Sequence, residues 1–447
     1  MSFLIKYIKL IRKTLLPKKE KRDITEVVDN YLCHSCGTCF SSCGHDCISY
    51  NQSTAGFLFP KIDYDACTNC GLCFDVCPGD HFNKKLINKT SEDPFIGNID
   101  KSFVGKAVDE DIYYNSQSGG VTTALLKYML DKEIVSAVVV TQMNEKTLKT
   151  EPRIVKDSKE LMSSQKSKYV PTNLTSIIPD VLKIEGKVAI VGLSCHMHGL
   201  ENLTSIRKKL NDKLIKIGLI CDRVMLYSAI PFFTEKTTKN TVTNFVFRDT
   251  SNTSYPGDIS FYEDGKLHIM DKKNRKSMKD FFTPTRCMLC FDKMNIYSDI
   301  VLGDPHGVEN TDKENGESLV LVRTSLGKDI VNDAIANNFI NLRDASLEQA
   351  ISGQGIELKR KKFNANIKAW KELGKTVPSY PENIFSYSIE ASDEDVKKAK
   401  KRIVHSLELD NLESQEDVIL KANHFFDDKN KKKGFFSKLK KIFKGNK

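Results

Sequence analysis

Eight cysteines fall in two runs of the same spacing. The first run is Cys33-His-Ser-Cys36-Gly-Thr-Cys39-Phe-Ser-Ser-Cys43. The second is Cys67-Thr-Asn-Cys70-Gly-Leu-Cys73-Phe-Asp-Val-Cys77, followed by Pro78. In the Cys-x2-Cys-x2-Cys-x3-Cys pattern three close thiolates hold one 4Fe–4S cluster, and the fourth reaches across to its neighbour. On that pattern Cys33, Cys36, Cys39 and Cys77 hold one cluster, and Cys67, Cys70, Cys73 and Cys43 hold the other. Gly37 and Gly71 suit the tight turns needed for three sulfurs to face one cubane. Gly44 stands where the second run has Pro78, a difference that moves no ligand. A structural zinc site is the rival for any repeated Cys-x2-Cys, and the doubled four-cysteine spacing speaks against it. Cys47 lies outside the spacing and reads as a packing residue.

Four more cysteines lie further along. Cys195 follows the apolar run Val188–Val191 in Gly192-Leu-Ser-Cys195-His196-Met-His198, and Cys221 follows Ile215–Ile220 in the same way. If both runs are parallel strands, the two thiols meet at the carboxyl edge of a sheet, where α/β proteins gather ligands. Cys287-Met-Leu-Cys290 adds a Cys-x2-Cys pair after Pro284. Together the four make a complete ligand set for a third cubane. The alternatives are a redox-active or structural pair at Cys287 and Cys290, and buried single thiols at Cys195 and Cys221. Beside them, His196 and His198 are placed either to donate a proton or to hydrogen-bond a cluster sulfide, and the second role is the expectation. Ser116-Gln117-Ser118-Gly119-Gly120, with Thr122 and Thr123, reads as an anion cradle opening a helix. The plainer reading of such a turn is a helix cap.

The elements that position these residues follow from patterning. Ile48–Tyr50 and Phe57–Phe59, with Tyr31, are expected as short strands around the clusters. The runs Ile134–Val140, Val188–Val191, Ile215–Ile220, Ile300–Leu302 and Leu319–Val322 are expected as buried strands. The fold class is therefore α+β: a basic amphipathic segment over 1–24, a ferredoxin-type dicluster domain over 25–95, a mixed α/β domain over 100–350, and a helical region with a basic tail over 351–447. The polar stretch Asn88–Asp93 before Pro94 is the expected linker. Trp370 is expected to be a packing anchor.

The chain has 447 residues and a formal charge of +10, and that charge sits at its ends. Residues 1–22 carry eight Lys/Arg against one Glu, and residues 429–447 carry nine Lys and no acid. The ends together exceed the total, so the body between them is acidic, which argues against a nucleic-acid-binding core. Phe3, Leu4, Tyr7, Ile8, Ile11 and Leu15 share one helical face, as do Phe435, Phe436, Leu439, Ile442 and Phe443. Apolar faces flanked by lysines suit helices lying on an anionic membrane surface; a docking helix or a solubilising tail is the alternative. No apolar stretch is long enough to span a bilayer. Thirteen cysteines without a recognisable signal peptide favour reduced, metal-holding thiols in the cytoplasm, peripheral at the inner membrane face.

In this order, several segments resemble the family of coenzyme F420 hydrogenase/dehydrogenase β-subunits. They are Asn115-Ser-Gln-Ser-Gly-Gly-Val-Thr-Thr-Ala-Leu-Leu, Lys166-Ser-Lys-Tyr-Val170, Val191-Gly-Leu-Ser-Cys-His-Met-His-Gly-Leu200, Ile217-Gly-Leu-Ile-Cys-Asp222, Arg286-Cys-Met-Leu-Cys-Phe-Asp292 and Asp299-Ile-Val-Leu-Gly-Asp304. Ser194 stands where many relatives have proline, and Asp222-Arg223 replace a small-residue turn. The resemblance implies a flavin domain passing electrons between FAD and 4Fe–4S clusters, with coenzyme F420 or an unsaturated substrate as the other reactant. It implies flavin contacts at Ser116, Gln117, Ser118, Gly119, Gly120, Thr122 and Thr123, with Lys166, Ser167, Lys168 and Tyr169 near the flavin or its phosphates. His196 is expected at the same cofactor. A redox partner protein or ferredoxin is the expected partner. The alternatives are an electron-transfer subunit without its own substrate, and an accessory redox protein of surface-polysaccharide biosynthesis.

Overall fold

The computed structural model describes residues 22–82 and 93–427. The two basic amphipathic ends therefore lie outside the described residues, apart from Arg22, and so does most of the expected linker. Strands β1 (Ile48–Gln52) and β2 (Leu58–Ile62) pair as an antiparallel hairpin, with Ile48 opposite Ile62. Then follow β3 (Lys101–Ala107), β4 (Ala137–Met143), β5 (Thr150–Val155), β6 (Val188–Gly192) and β7 (Leu214–Leu219). Next come β8 (Thr243–Asp249), β9 (Asp258–Glu263), β10 (Lys266–Met270), β11 (Ile300–Gly303), β12 (Ser318–Val322) and β13 (Ile340–Asp344). Eight of them form one mixed sheet in the order β13-β3-β12-β11-β7-β6-β4-β5. Its centre, β11-β7-β6-β4, is parallel, and the flanking pairs are antiparallel. Strands β8, β9 and β10 form a separate antiparallel sheet.

Side-chain alternation explains how this sheet joins the rest. Val138, Val140, Ala189, Ile215, Ile300, Leu302 and Val320 turn to one face, which the helices Val121–Asp131 and Ser325–Ala336 cover. Val139, Val188, Ile190, Val301, Leu319 and Leu321 turn to the other, where one continuous core also takes in Leu32, Cys39, Val76 and Phe82 of the cysteine-rich module. Sheets apolar on both faces must be covered on both. Here the cysteine-rich module and the helix Ile356–Glu372 share the second face. Trp370 on that helix is fully buried, its indole N–H donating to the Thr376 carbonyl at 2.8 Å, which is the anchoring role expected of it.

Two local expectations are corrected. Tyr31 is not in a strand: its φ is +59° and its N–H caps the helix Ile24–Asp29 at the Val28 carbonyl. The fourth strand starts at Ala137 rather than Ile134, because the N–H groups of Ile134 and Val135 both close onto the Met129 carbonyl at the end of the preceding helix.

Candidate functional site

The two cysteine runs fold as local copies of each other. Ser35 and Asn69, at matching places, both have positive φ, and their N–H groups donate to Cys33 Sγ at 3.3 Å and Cys67 Sγ at 3.4 Å. Gly37 and Gly71 follow at φ +98° and +81°, each opening a short helix that carries the third cysteine. A side chain at Gly37 would also strike the Asn173 carbonyl, 2.6 Å from the position of a Cβ. Gly79 N–H donates to Cys77 Sγ at 3.3 Å. All thirteen cysteines are free thiols. Burial pushes the Cys33 thiol up to about 12 and raises Cys36, Cys39 and Cys77 as well. Buried thiolates of this kind need a bound cation to offset their desolvation, and N–H donors aimed at sulfur suit metal-bound thiolate. The residues present therefore fit a cluster. No three His, Cys, Asp or Glu side chains among the described residues converge as ligands of a single ion; a cubane takes one thiolate per iron and spreads them.

Cys33, Cys36, Cys77 and Cys73 all act on Cys39, so the first ligand set is gathered and borders the second. Cys70 is exposed, whereas Cys36 is buried. Cys47 is buried as a packing residue should be, but it is also a fifth thiol at the second set. The turn at Asp46 (φ +50°) brings its Sγ to 3.4 Å from Cys43 Sγ, and Cys67 acts on it too. No spacing rule gave a sign of that contact.

The later four cysteines also come together. β6 and β7 are parallel neighbours, and Cys195 and Cys221 follow their carboxyl ends. Cys221, Cys287 and Cys290 all act on Cys195, and so does Cys36 of the first run. That last neighbour follows from how the two domains interlock. Thr175 N–H and Oγ1 both donate to the Cys36 carbonyl, at 3.0 and 2.8 Å, and Ser41 Oγ donates to the Thr175 carbonyl. The helix Ser194–Thr204, which carries Cys195, presses Gly199 against Thr38, whose Oγ1 would lie 2.0 Å from a Cβ there. Asn202 donates to the Val76 and His81 carbonyls on either side of Cys77.

Beyond Cys221 opens a cavity of about 520 Å³ at the carboxyl ends of β4, β6, β7 and β11. Its walls include Ser116, Gln117, Ser118, Gly120, Thr122, Thr123, Lys166, Ser167, Lys168, Tyr169 and His196. Gly119 is the expected contact that does not line it. A Cβ there would meet the Gly105 carbonyl at 2.4 Å, so this glycine lets the loop press onto β3 and β12. Gln117 ties the two expected segments together, donating to Ser167 Oγ at 2.7 Å and accepting from Ser167 N–H at 2.8 Å. Gly120, at φ +72°, caps the helix Val121–Asp131 and leaves its N-terminal end at the cavity. Lys166, Lys168, Arg223, Arg248, Lys279, Lys293, Lys359 and Lys362 line it against two acidic wall residues, Asp222 and Asp304, with Lys166 also paired to Asp249 at 3.1 Å and Arg223 to Asp280 behind the wall. Sequence reading missed most of these cations because they come from segments far apart along the chain. Arg248 pairs with Asp304 at 2.7 Å and donates to the Tyr169 hydroxyl at 3.4 Å. Burial would raise Tyr169, but Arg248 and Arg275 outweigh it and the phenol is lowered. The size suits a small-molecule ligand, and the cationic wall with its helix N-terminus fits the pyrophosphate of a dinucleotide.

His196 departs from the sulfide contact expected of it, whereas His198 keeps a buried Nδ1 without a partner among the described residues. His196 Nδ1 accepts from the Leu193 N–H and Nε2 meets the Thr172 carbonyl, both at 3.0 Å, and burial pushes its pKa down to about 4. With both nitrogens held by backbone, the ring has none left for a sulfide or for proton transfer. His198 bonds Asp292 at 2.8 Å through Nε2.

A dicluster-type cysteine module is thus interlocked with a mixed α/β domain and its cationic cavity, an arrangement that suits electron transfer. Comparison with known proteins agrees. Residues 32–80 match the 4Fe-4S dicluster domain. Residues 102–179 match the N-terminal part, and 185–348 the C-terminal part, of the coenzyme F420 hydrogenase/dehydrogenase beta subunit. The chain belongs to that family, whose two models together cover more than half of it. It is 24% identical over 384 residues to the coenzyme F420-dependent sulfite reductase of Methanocaldococcus jannaschii, covering 80% of this chain and 53%, about half, of that protein. It is 22% identical to the coenzyme F420 hydrogenase subunit beta of Methanosarcina barkeri, covering 63% of this chain and 94% of that one. With the F420-dependent formate dehydrogenase subunit beta of Methanocaldococcus jannaschii it shares 25% identity, over 55% and 62% of the two chains. A chain of the F420-reducing [NiFe] hydrogenase complex from Methanosarcina barkeri superposes with a TM-score of 0.49 at 19% identity, over 63% of this chain and 94% of that one.

Proposed function

We propose that this protein is an iron–sulfur flavoprotein that moves electrons between FAD in the cationic cavity and three 4Fe–4S clusters, with coenzyme F420 or an unsaturated compound as the hydride partner. The observation that carries this reading is the continuity of thiols: exposed Cys70 at one end, Cys36 beside Cys195 in the middle, and Cys221 in the cavity wall. When bound, the flavin supplies two-electron exchange with a hydride carrier and the clusters supply one-electron exchange. The chain's own residues fix the order. The Thr38–Thr175 and Gly199 contacts hold the first cysteine run against the Cys195 helix, and the Gln117–Ser167 pair holds the loop that meets the ligand. Attachment to an anionic membrane surface through the two basic ends belongs to the same proposal.

Iron and flavin content per chain, on protein purified without oxygen, tests the reading. About twelve irons and one flavin are expected. About eight irons without flavin would instead make the chain an electron-transfer subunit, a reading favoured by the relatives whose names call them subunits.

The cavity also predicts a pH dependence. Burial, reinforced by Lys166, brings Lys168 down to about 7. Below that pH Lys168 is cationic and draws an anionic ligand; above it the ammonium loses its proton. Flavin affinity is therefore expected to fall as pH rises through about 7, and Lys168→Met is expected to flatten the profile. An unchanged slope in that variant would remove Lys168 from ligand binding.

A further inference from the structure

Arg286 is one of the largest fully buried side chains in the protein, 1% exposed, and no carboxylate pairs with it among the described residues. A buried guanidinium without a counter-charge is costly, so its position calls for a partner. Nε donates to the Gly79 carbonyl at 3.1 Å and Nη2 to the Pro78 carbonyl at 3.4 Å, immediately beyond Cys77. The side chain lies against Phe82 and the Tyr380 hydroxyl, which itself donates to the Leu289 carbonyl. Nη1 has no hydrogen-bond partner although it is buried. In sequence Arg286 directly precedes Cys287. Its charge reaches both groups of thiols. At Cys33 burial raises the thiol, and Arg286 acts with the Ser35 N–H against that rise; at Cys290 it acts with Lys359 in the same direction.

We propose that Arg286 is the shared counter-charge of two clusters, the one held by Cys33, Cys36, Cys39 and Cys77 and the one held by Cys195, Cys221, Cys287 and Cys290, and that it raises the reduction potential of both. The physical reason is simple. Adding an electron makes a thiolate-ligated cluster more negative, and a fixed buried cation stabilises the reduced form more than the oxidised form. Nη1–H is a buried donor without a protein partner, and donors to a cluster's sulfur shift potential in the same sense. One cation therefore shifts both clusters in the same direction, while the outer one, at Cys43, Cys67, Cys70 and Cys73, is not expected to move. Arg286 acts through the clusters and is a tuning residue, not a catalytic one.

The second of these clusters rests on the function proposed above, and the test separates the two claims. Iron content and an EPR-monitored redox titration are measured for the wild-type full chain, Arg286→Gln and Arg286→Lys. With iron retained, Arg286→Gln is expected to titrate at lower potential by a tenfold or larger change in the reduced-to-oxidised ratio, about 59 mV for one electron. Arg286→Lys is expected to recover most of that shift, with the outer cluster unmoved in both. About twelve irons in the wild type place the shift on two clusters; about eight place it on one, so the iron count judges the third cluster and the potentials judge Arg286. Unchanged potentials in Arg286→Gln, or equal shifts in the two variants, would overturn the proposal, since the second result would implicate the carbonyl bonds rather than the charge. Should Arg286→Gln lose iron, retention of iron by Arg286→Lys supports the charge requirement, and equal loss overturns it.

Discussion

Cys287→Ser is expected to remove about four irons per chain, by cubane stoichiometry, and leave the other eight in place. The thiol acts on Cys195, whereas the neighbours that act on Cys39 are Cys36, Cys33, Cys77 and Cys73. Bound flavin is expected to persist, because the cradle of Ser116–Thr123 and the Lys166–Tyr169 segment are built from other elements. Electron transfer between the cavity and an acceptor at the Cys70 end is expected to fall about tenfold or more, since the cluster proposed to bridge Cys221 and Cys36 would be gone. Iron analysis with anaerobic stopped-flow reduction reads both effects. Unchanged iron would remove the third cluster; lost iron with undiminished transfer would show that the cavity is not connected through it.

Gly199→Ala is expected to destabilise the protein by about 1–3 kcal/mol, the usual cost of forcing an extra methyl into a packed contact. The sign is informative. Gly199 lies inside the helix Ser194–Thr204, where alanine is ordinarily the better residue by up to about 1 kcal/mol. Here the new Cβ would sit 2.0 Å from Thr38 Oγ1 and 3.1 Å from Thr38 Cβ. Thr38 cannot simply rotate away, because its hydroxyl is shared between Cys36 Sγ at 3.3 Å and Thr175 Oγ1 at 3.1 Å. Relief must come from moving the cysteine loop away from the Cys195 helix, so slower transfer between the two domains is expected alongside the lower stability. Chemical denaturation under nitrogen measures the first effect. A variant as stable as wild type would mean that this interface yields without cost.

The dicluster module was legible because its signature is local: three of the cysteines in each run fall within a seven-residue stretch, a spacing that can be read without the fold. The central strands were legible for a related reason: strands buried on both faces, as β6, β11 and β12 are, read as continuous apolar runs. The edge strands β5 and β13 and the separate sheet of β8–β10 mix polar with apolar residues and gave no such signal.

Other features were settled only by tertiary structure. His196 stood in the right sequence for chemistry, yet the backbone at Leu193 and Thr172 occupies both its nitrogens. Gly119 belonged to the expected cradle but is a packing contact behind it. The cationic wall and the Cys43–Cys47 contact draw on residues whose approach no spacing encodes. The meeting of Cys36 with Cys195, 159 positions apart, depends on two domains sharing one face of a sheet. Sequence by itself determined the two four-cysteine runs, since their spacing lies along the chain. Which thiols from different segments meet, and what charge lies between them, needed the fold, because electrostatics and burial depend on distance in space.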